Sequence, residues 1–323
     1  MTTEQITAPI SYATSTVMGL SIVAIILVLV LTYVYIRRSY PQGNAGTFLG
    51  LTTYFLLTYI VINIVLSLVD FGFNSIHSDE KFATALAHIE TIVLLILQTA
   101  ITIFGLEFSL RKFGYNPGGS TFGNIMAFGY GFALFEGIQW IINTVINEWL
   151  IAVSISHFGL EFWKEDMTAE EYESFVDSIS YLFDYTPFHY IWIFIERMAH
   201  ISFIIAIVTM ISLIVKKKLN KTFLGTVMGW YFVFYIPNVL KTFGVIKYEF
   251  FVMLLELIVT VASILFTWQL MKRLTPEDTD RLNEIRKGGM YEALFSPRGR
   301  LRKTVQKSSI TKAANSNSNS TPE

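Results

Sequence analysis

Residues 187–215 read PFHYIWIFIERMAHISFIIAIVTMISLIV. At ~1.5 Å per residue, ~20 residues of helix cross the ~30 Å hydrocarbon core of a bilayer, so this stretch is long enough to span one. It also carries, in its interior, Glu196, Arg197 and His200, which a membrane core should not contain. Six further apolar blocks accompany it, at residues 16–36, 47–69, 83–104, 122–146, 223–243 and 248–271. The chain is 53% hydrophobic and 15% charged, against about 25% charged in an ordinary globular protein. These features predict an all-α polytopic membrane protein, a bundle of about seven transmembrane helices over residues 1–274. They exclude a soluble enzyme, a nucleic-acid-binding domain and a secreted disulfide scaffold. The absence of cysteine removes disulfides, thiolate nucleophiles and Cys-ligated metals.

Lys and Arg are distributed unevenly about these spans. Nineteen follow the odd-numbered spans or lie in the tail, and four lie on the opposite side, with Arg197 inside a span completing the 24. The positive-inside bias places the N-terminus outside the cell membrane and the C-terminus in the cytoplasm. The N-terminus has no Lys or Arg before the first apolar block, so that block reads as a retained span and not as a cleaved signal. Residues 148–186 form an acidic outer loop with nine carboxylates against Lys164. Within it, Thr168-Ala169-Glu170-Glu171 is a capping box. Tyr172, Phe175, Val176, Ile179, Leu182 and Phe183 then recur at helical spacing. This predicts an outer amphipathic helix lying on the membrane surface or over the bundle mouth, either as packing or as a lid. Residues 275–323 form a cytoplasmic tail with a basic cluster at Arg298, Arg300, Arg302 and Lys303, suited to anionic lipid. Its Asn/Ser end, residues 315–320, has the composition of disorder.

An ionisable group at the bilayer centre costs at least ~2.5–3.5 kcal/mol, so such groups face the interior and point to function. His88, Glu90, Glu136, Glu196, Arg197, His200 and Glu256 qualify, and Gln139 and Asn238 add polar capacity. Counting at ~1.5 Å per residue, Glu196 and His200 lie roughly 14 and 20 Å below the outer end of their span, and Glu136 roughly 20 Å above the inner end of its own. The three therefore converge near the midplane, with Glu196 and His200 on one helix face. Gly129 and Gly131 let the Glu136 span approach a neighbour closely. A carboxylate–imidazole group there could activate a water. The alternative is a hydrogen-bond network that only fixes the bundle.

The segment Gly129-Tyr130-Gly131-Phe132-Ala133-Leu134-Phe135-Glu136 resembles the GxGFAxxE segment of the PrsW and YhfC families of glutamic-type intramembrane proteases, within the CAAX-protease-like superfamily. Glu196-Arg197-Met198-Ala199-His200 is similar to their following Glu-Arg/His helix. Glu107 and Arg111 have the Glu-xxx-Arg spacing of their first motif, and Asn238 resembles their late His-xxx-Asn element. Leu106 stands where the family has a leading glutamate, and Phe234 where it has the late histidine. The resemblance covers residues 107–238. It implies Glu136, Glu196, His200 and Glu107 as catalytic residues, supported by Arg111, Arg197 and Asn238, and a membrane-protein or peptide substrate.

Two other classes fit the same residues. Buried carboxylates with a histidine suit an ion- or proton-coupled transporter, although no inverted repeat is evident. An inactive scaffold or signalling relative also shares the topology, whereas a retinal protein is excluded because residues 248–271 contain no lysine. No cofactor is firmly implied. A divalent metal could be held by a histidine and carboxylates, but no HExxH pair is present.

Overall fold

The computed structural model describes residues 10–39, 43–76, 80–112, 122–164 and 167–277, and the regular elements among them are all helical. In chain order they are α1 (Tyr12–Ser39), α2 (Gly43–Tyr54), α3 (Asn63–Ile76), α4 (Glu80–Lys112), α5 (Phe122–Trp140), α6 (Asn147–Phe158), α7 (Ala169–Ile179), α8 (Tyr181–Asp184), α9 (Pro187–Val215), α10 (Leu224–Thr242) and α11 (Glu249–Leu274). A π-helical stretch, Phe55–Ile62, joins α2 to α3, and another, Ile141–Ile146, joins α5 to α6. The tail expected from residue 275 lies, beyond residue 277, outside the described residues.

Six stretches are long and apolar enough to cross a membrane: Tyr12–Arg38, Ala45–Phe73, Ala85–Lys112, Pro187–Val215, Lys221–Thr242 and Glu249–Leu274. They are consistent with a multi-pass integral membrane protein, and each overlaps one of the expected spans. Large apolar side chains such as Leu20 and Leu27 on α1, Leu68 and Phe71 on α3, and Ile258 and Leu265 on α11 point outward. In water such a surface would aggregate, whereas acyl chains solvate it. The block at 122–146 is also helical but is not among the six. Its helix does not stop where the sequence reading ended it. It continues through the π stretch and α6 to Phe158, because neither glycine nor proline occurs between residues 138 and 158. Gly159, at φ 77°, terminates it. The acidic segment expected as a loop from residue 148 therefore begins as helix.

Helix α9 is the centre of the bundle. From Ala206 to Val215 every residue is buried, the behaviour of a helix that is apolar on all faces. Around this half, Ile103 and Leu106 of α4, Phe128 and Phe132 of α5, and Tyr231 and Phe234 of α10 close a single core with Phe203, Ile207 and Ile211. A second core joins Met18, Ile22 and Ile25 of α1 to Tyr130, Ile141, Ile155, Leu182 and Tyr190.

Glycine sets the tightest helix contact. Helices α2 and α5 meet backbone to backbone: a Cβ on Gly50 would collide with the carbonyl oxygen of Phe128, and one on Gly131 with that of Thr47. Gly129 faces the other way and sits against Ile205 and Val208 of α9, where a Cβ would lie 3.2–3.3 Å from them. Without a strong hydrophobic drive between helices in lipid, such close approach supplies the dispersion energy that holds them. The partner glycines Gly46 and Gly50 form a GxxxG pair that the sequence reading passed over.

Thr168 caps α7 as its sequence demands. Its side chain accepts from the Glu171 amide while Glu171 accepts from the Thr168 amide. These contacts hold Glu171 below the usual carboxylate range, the backbone bond first and the hydroxyl second. A lowered folded value stabilises the cap at neutral pH and is lost as pH falls through the carboxylate range. Amide exchange at the start of α7 should therefore speed up on acidification, and Glu171→Gln should abolish that dependence. Tyr172, Val176 and Ile179 are buried along one face of α7, while Phe175 lies against Trp163 with ring centroids 5.2 Å apart. Val176→Asp would bury an unpaired charge, so the segment 167–186 should detach and become a preferred site of limited proteolysis. An unchanged digestion pattern would show that this face carries no docking energy.

Candidate functional site

The polar residues of the interior come together along one side of α9. His200 is buried, and its Nε2–H donates to Glu136 Oε2 at 3.0 Å, joining α9 to α5. One helical turn earlier, Arg197 Nη2 lies 3.1 Å from Glu196 Oε1. On the facing helices, the Asn238 side-chain amide of α10 donates to Glu256 Oε1 of α11. Glu256 lies within Coulombic range of Glu196, Arg197 and His200 of α9.

Beside the Glu136–His200 pair is a pocket lined by Ile25 and Leu29 of α1, Glu136 and Gly137 of α5, and Arg197 and His200 of α9. It has room for about one water molecule. The Glu136 side chain is 26% exposed and that of His200 8%. The imidazole meets the Glu136 carboxylate and not that of Glu196, which engages Arg197 instead.

Aromatic groups complete the surroundings. The Phe234 ring stands edge-on to His200 at 5.2 Å and stacks on Phe203 at 4.2 Å. The position where the resembled family has a second histidine is therefore next to the site but carries no titratable group. The Tyr231 hydroxyl lies 3.5 Å from that of Tyr235, and both phenols feel the charge of Glu136. The sequence reading missed this pair. Its signal was the stripe Tyr231, Tyr235, Asn238, which recurs at intervals of four and three residues on one face of α10.

Glu107 and Arg111 are placed apart. Both Arg111 Nε and Nη2 donate to Glu107 Oε1, at 2.9 and 2.7 Å, near the end of α4. Neither residue lines the pocket. Leu106, where the family has a glutamate, is fully buried in the apolar core. His88 lies against Phe243 with ring centroids 4.2 Å apart. Among the described residues, no group of three or more His, Asp or Glu side chains is placed to hold a metal ion.

No family model, no curated protein and no solved structure matches this chain.

Proposed function

We propose that this chain is an intramembrane hydrolase of the glutamic type, cleaving a peptide bond of a membrane-embedded substrate. The observation that carries the reading is the Glu136–His200 hydrogen bond beside a water-sized, partly open pocket within apolar surroundings. Glu136 would take a proton from the water as its oxygen attacks the carbonyl carbon. Arg197, on the pocket wall, would stabilise the oxyanion that forms. His200 would enter the step as an imidazolium paired with Glu136, give one proton to the departing amine nitrogen as the C–N bond breaks, and then recover one from Glu136. The resemblance to the PrsW and YhfC families supports the same assignment. In this reading Glu196 holds Arg197 in place and Asn238 holds Glu256, while Glu107 and Arg111 brace the end of α4.

The same proposal sets the chain in the cell membrane with seven spans, the helix through Glu136 being the seventh. Arg37, Arg38, Arg111, Lys112, Lys216, Lys217, Lys218, Lys221, Lys272 and Arg273 gather at one end of the bundle, which would face the cytoplasm and its anionic lipid. Helices α7 and α8 would then lie outside. A reporter fused at Thr168 should read external and one at Ser320 cytoplasmic. Both on the same side would break the seven-span count.

The functional test compares peptide fragments from membranes of cells producing the wild-type chain or Glu136→Gln. New chain ends inside apolar spans that vanish with Glu136→Gln support the hydrolase. Identical fragment sets would remove it.

A further inference from the structure

Water consumed in a membrane has to be supplied there, and the packing around α9 changes along its length. Trp192, Phe194, Ile195, Glu196, Arg197 and Met198 are only half-buried, on every face of the helix. Beyond Phe203 the helix is enclosed, and the stacked Phe203 and Phe234 rings sit beneath His200. The upper half of α9 is thus less covered by its neighbours than the lower half, and His200 stands at the boundary between them.

Around this upper half, polar groups stand at three levels. At the top, Glu249 of α11 is a hub: Lys241 Nζ of α10 donates to its Oε1 at 2.9 Å, and the Tyr185 hydroxyl donates to its Oε2 at 3.4 Å. His189 Nε2 lies 3.9 Å from that same Oε2. These groups are partly exposed, Lys241 41% and Glu249 33%, as befits a rim. The middle level holds the Asn238–Glu256 and Glu196–Arg197 pairs. The bottom is Glu136 with His200. The spacing makes this a ladder and not a scatter. His189, Glu196 and His200 follow one another by seven and four residues on α9, Glu249 and Glu256 by seven on α11, and Lys241, Asn238 and Tyr235 by three on α10. Each set lies on one helix face, and the ladder drops roughly 16 Å from His189 to His200.

The geometry points to a water path from the rim at Glu249, past Asn238 and Glu256, to the Glu136–His200 pocket. The groups are paired at each level, and the donors and acceptors that the pairs leave over are within reach of a chain of waters. Tyr185 belongs to the segment joining α8 to α9, so that segment meets the rim through this hydroxyl. This deepens the hydrolase reading, which gives the water its use.

Hydroxyl-radical footprinting with mass spectrometry tests it, because the radicals are made from water at the position they label. The full-length protein in liposomes is irradiated, and each residue is compared with itself in the denatured chain. Tyr235 and Met198 should be labelled severalfold more than Met210 of the closed half and lipid-facing Phe104. Asn238→Leu should cut labelling at Tyr235 severalfold while leaving Tyr185 at the rim unchanged. Protection of Tyr235 and Met198 equal to that of Met210 in the wild-type protein overturns the path without any variant. So does undiminished labelling of Tyr235 in a folded Asn238→Leu protein. Neither result depends on turnover, whereas the Glu136→Gln fragment comparison reads chemistry alone, so failure of the path and failure of the hydrolase reading are separable.

Discussion

Glu136→Gln and His200→Ala should each lower hydrolysis of a membrane substrate by about 10²–10⁴-fold, the usual contribution of a positioned acid or base. The glutamine keeps the shape of the side chain and can still hydrogen-bond His200, so the protein should accumulate and extract as a single monodisperse species. What it removes is the capacity to accept a proton from water. His200→Ala removes the proton donor and opens space above Phe203, so it should also lower thermal stability by a few degrees. The pair discriminates between readings. In an ion-coupled transporter, the same substitutions would uncouple uptake and leave every fragment pattern untouched. In a site that only fixes the bundle, Glu136→Gln would be nearly silent and His200→Ala would act on stability alone. Arg197→Lys is a further control, since a lysine retains charge but not the planar fork that meets Glu196. It should lower the rate constant more than substrate affinity if the guanidinium acts on the oxyanion. Full activity of both Glu136→Gln and His200→Ala proteins would sink the catalytic assignment.

Gly131→Val should be the most damaging substitution for stability. Overpacking inside a core ordinarily costs about 1–3 kcal/mol, because neighbouring side chains can turn aside. At Gly131 the obstacle is the backbone of Thr47, which cannot rotate away, so α2 has to leave α5 or the valine strains the helix. A cost of about 3 kcal/mol or more is expected, at or beyond the top of that range. Gly105 supplies the comparison. The nearest atoms a Cβ there would meet all belong to the side chain of Leu57, which can turn aside, so Gly105→Ala should be tolerated far better. Thermal unfolding in detergent, with yield as a second measure, separates the two. Equal, small losses at both positions would show that α2 and α5 are not in the contact described.

Much of this was legible along the chain because a membrane constrains sequence locally. A span must be apolar over its own length, and a charged or imidazole group within it is conspicuous without any knowledge of neighbours. Residues 187–215 alone therefore announced a transmembrane helix and its anomalous Glu196, Arg197 and His200, and the interruption at Glu136 was equally visible. The Thr168 capping box is local too, four residues that satisfy one another. Boundaries failed where no residue marked them, as at Ile146, where the helix runs on to Gly159.

What the sequence determined by itself was the helical class, the six apolar helices, the start of α7 and the ionisable groups along α9, though not the Tyr231–Tyr235 pair. Only the tertiary structure decided which of those groups meet. Glu196 and His200 share a helix face and invited pairing, yet His200 took Glu136 from α5 and Glu196 took Arg197. Glu107, of the same residue type as Glu136, was left with Arg111 away from the pocket. Pairing across helices depends on how far each is slid and rotated against the next. That is set by the close contact of Gly50 and Gly131 with opposing backbone and by the side chains filling the core around α9. These are interactions between residues distant in the chain, and no periodicity within a single span encodes them.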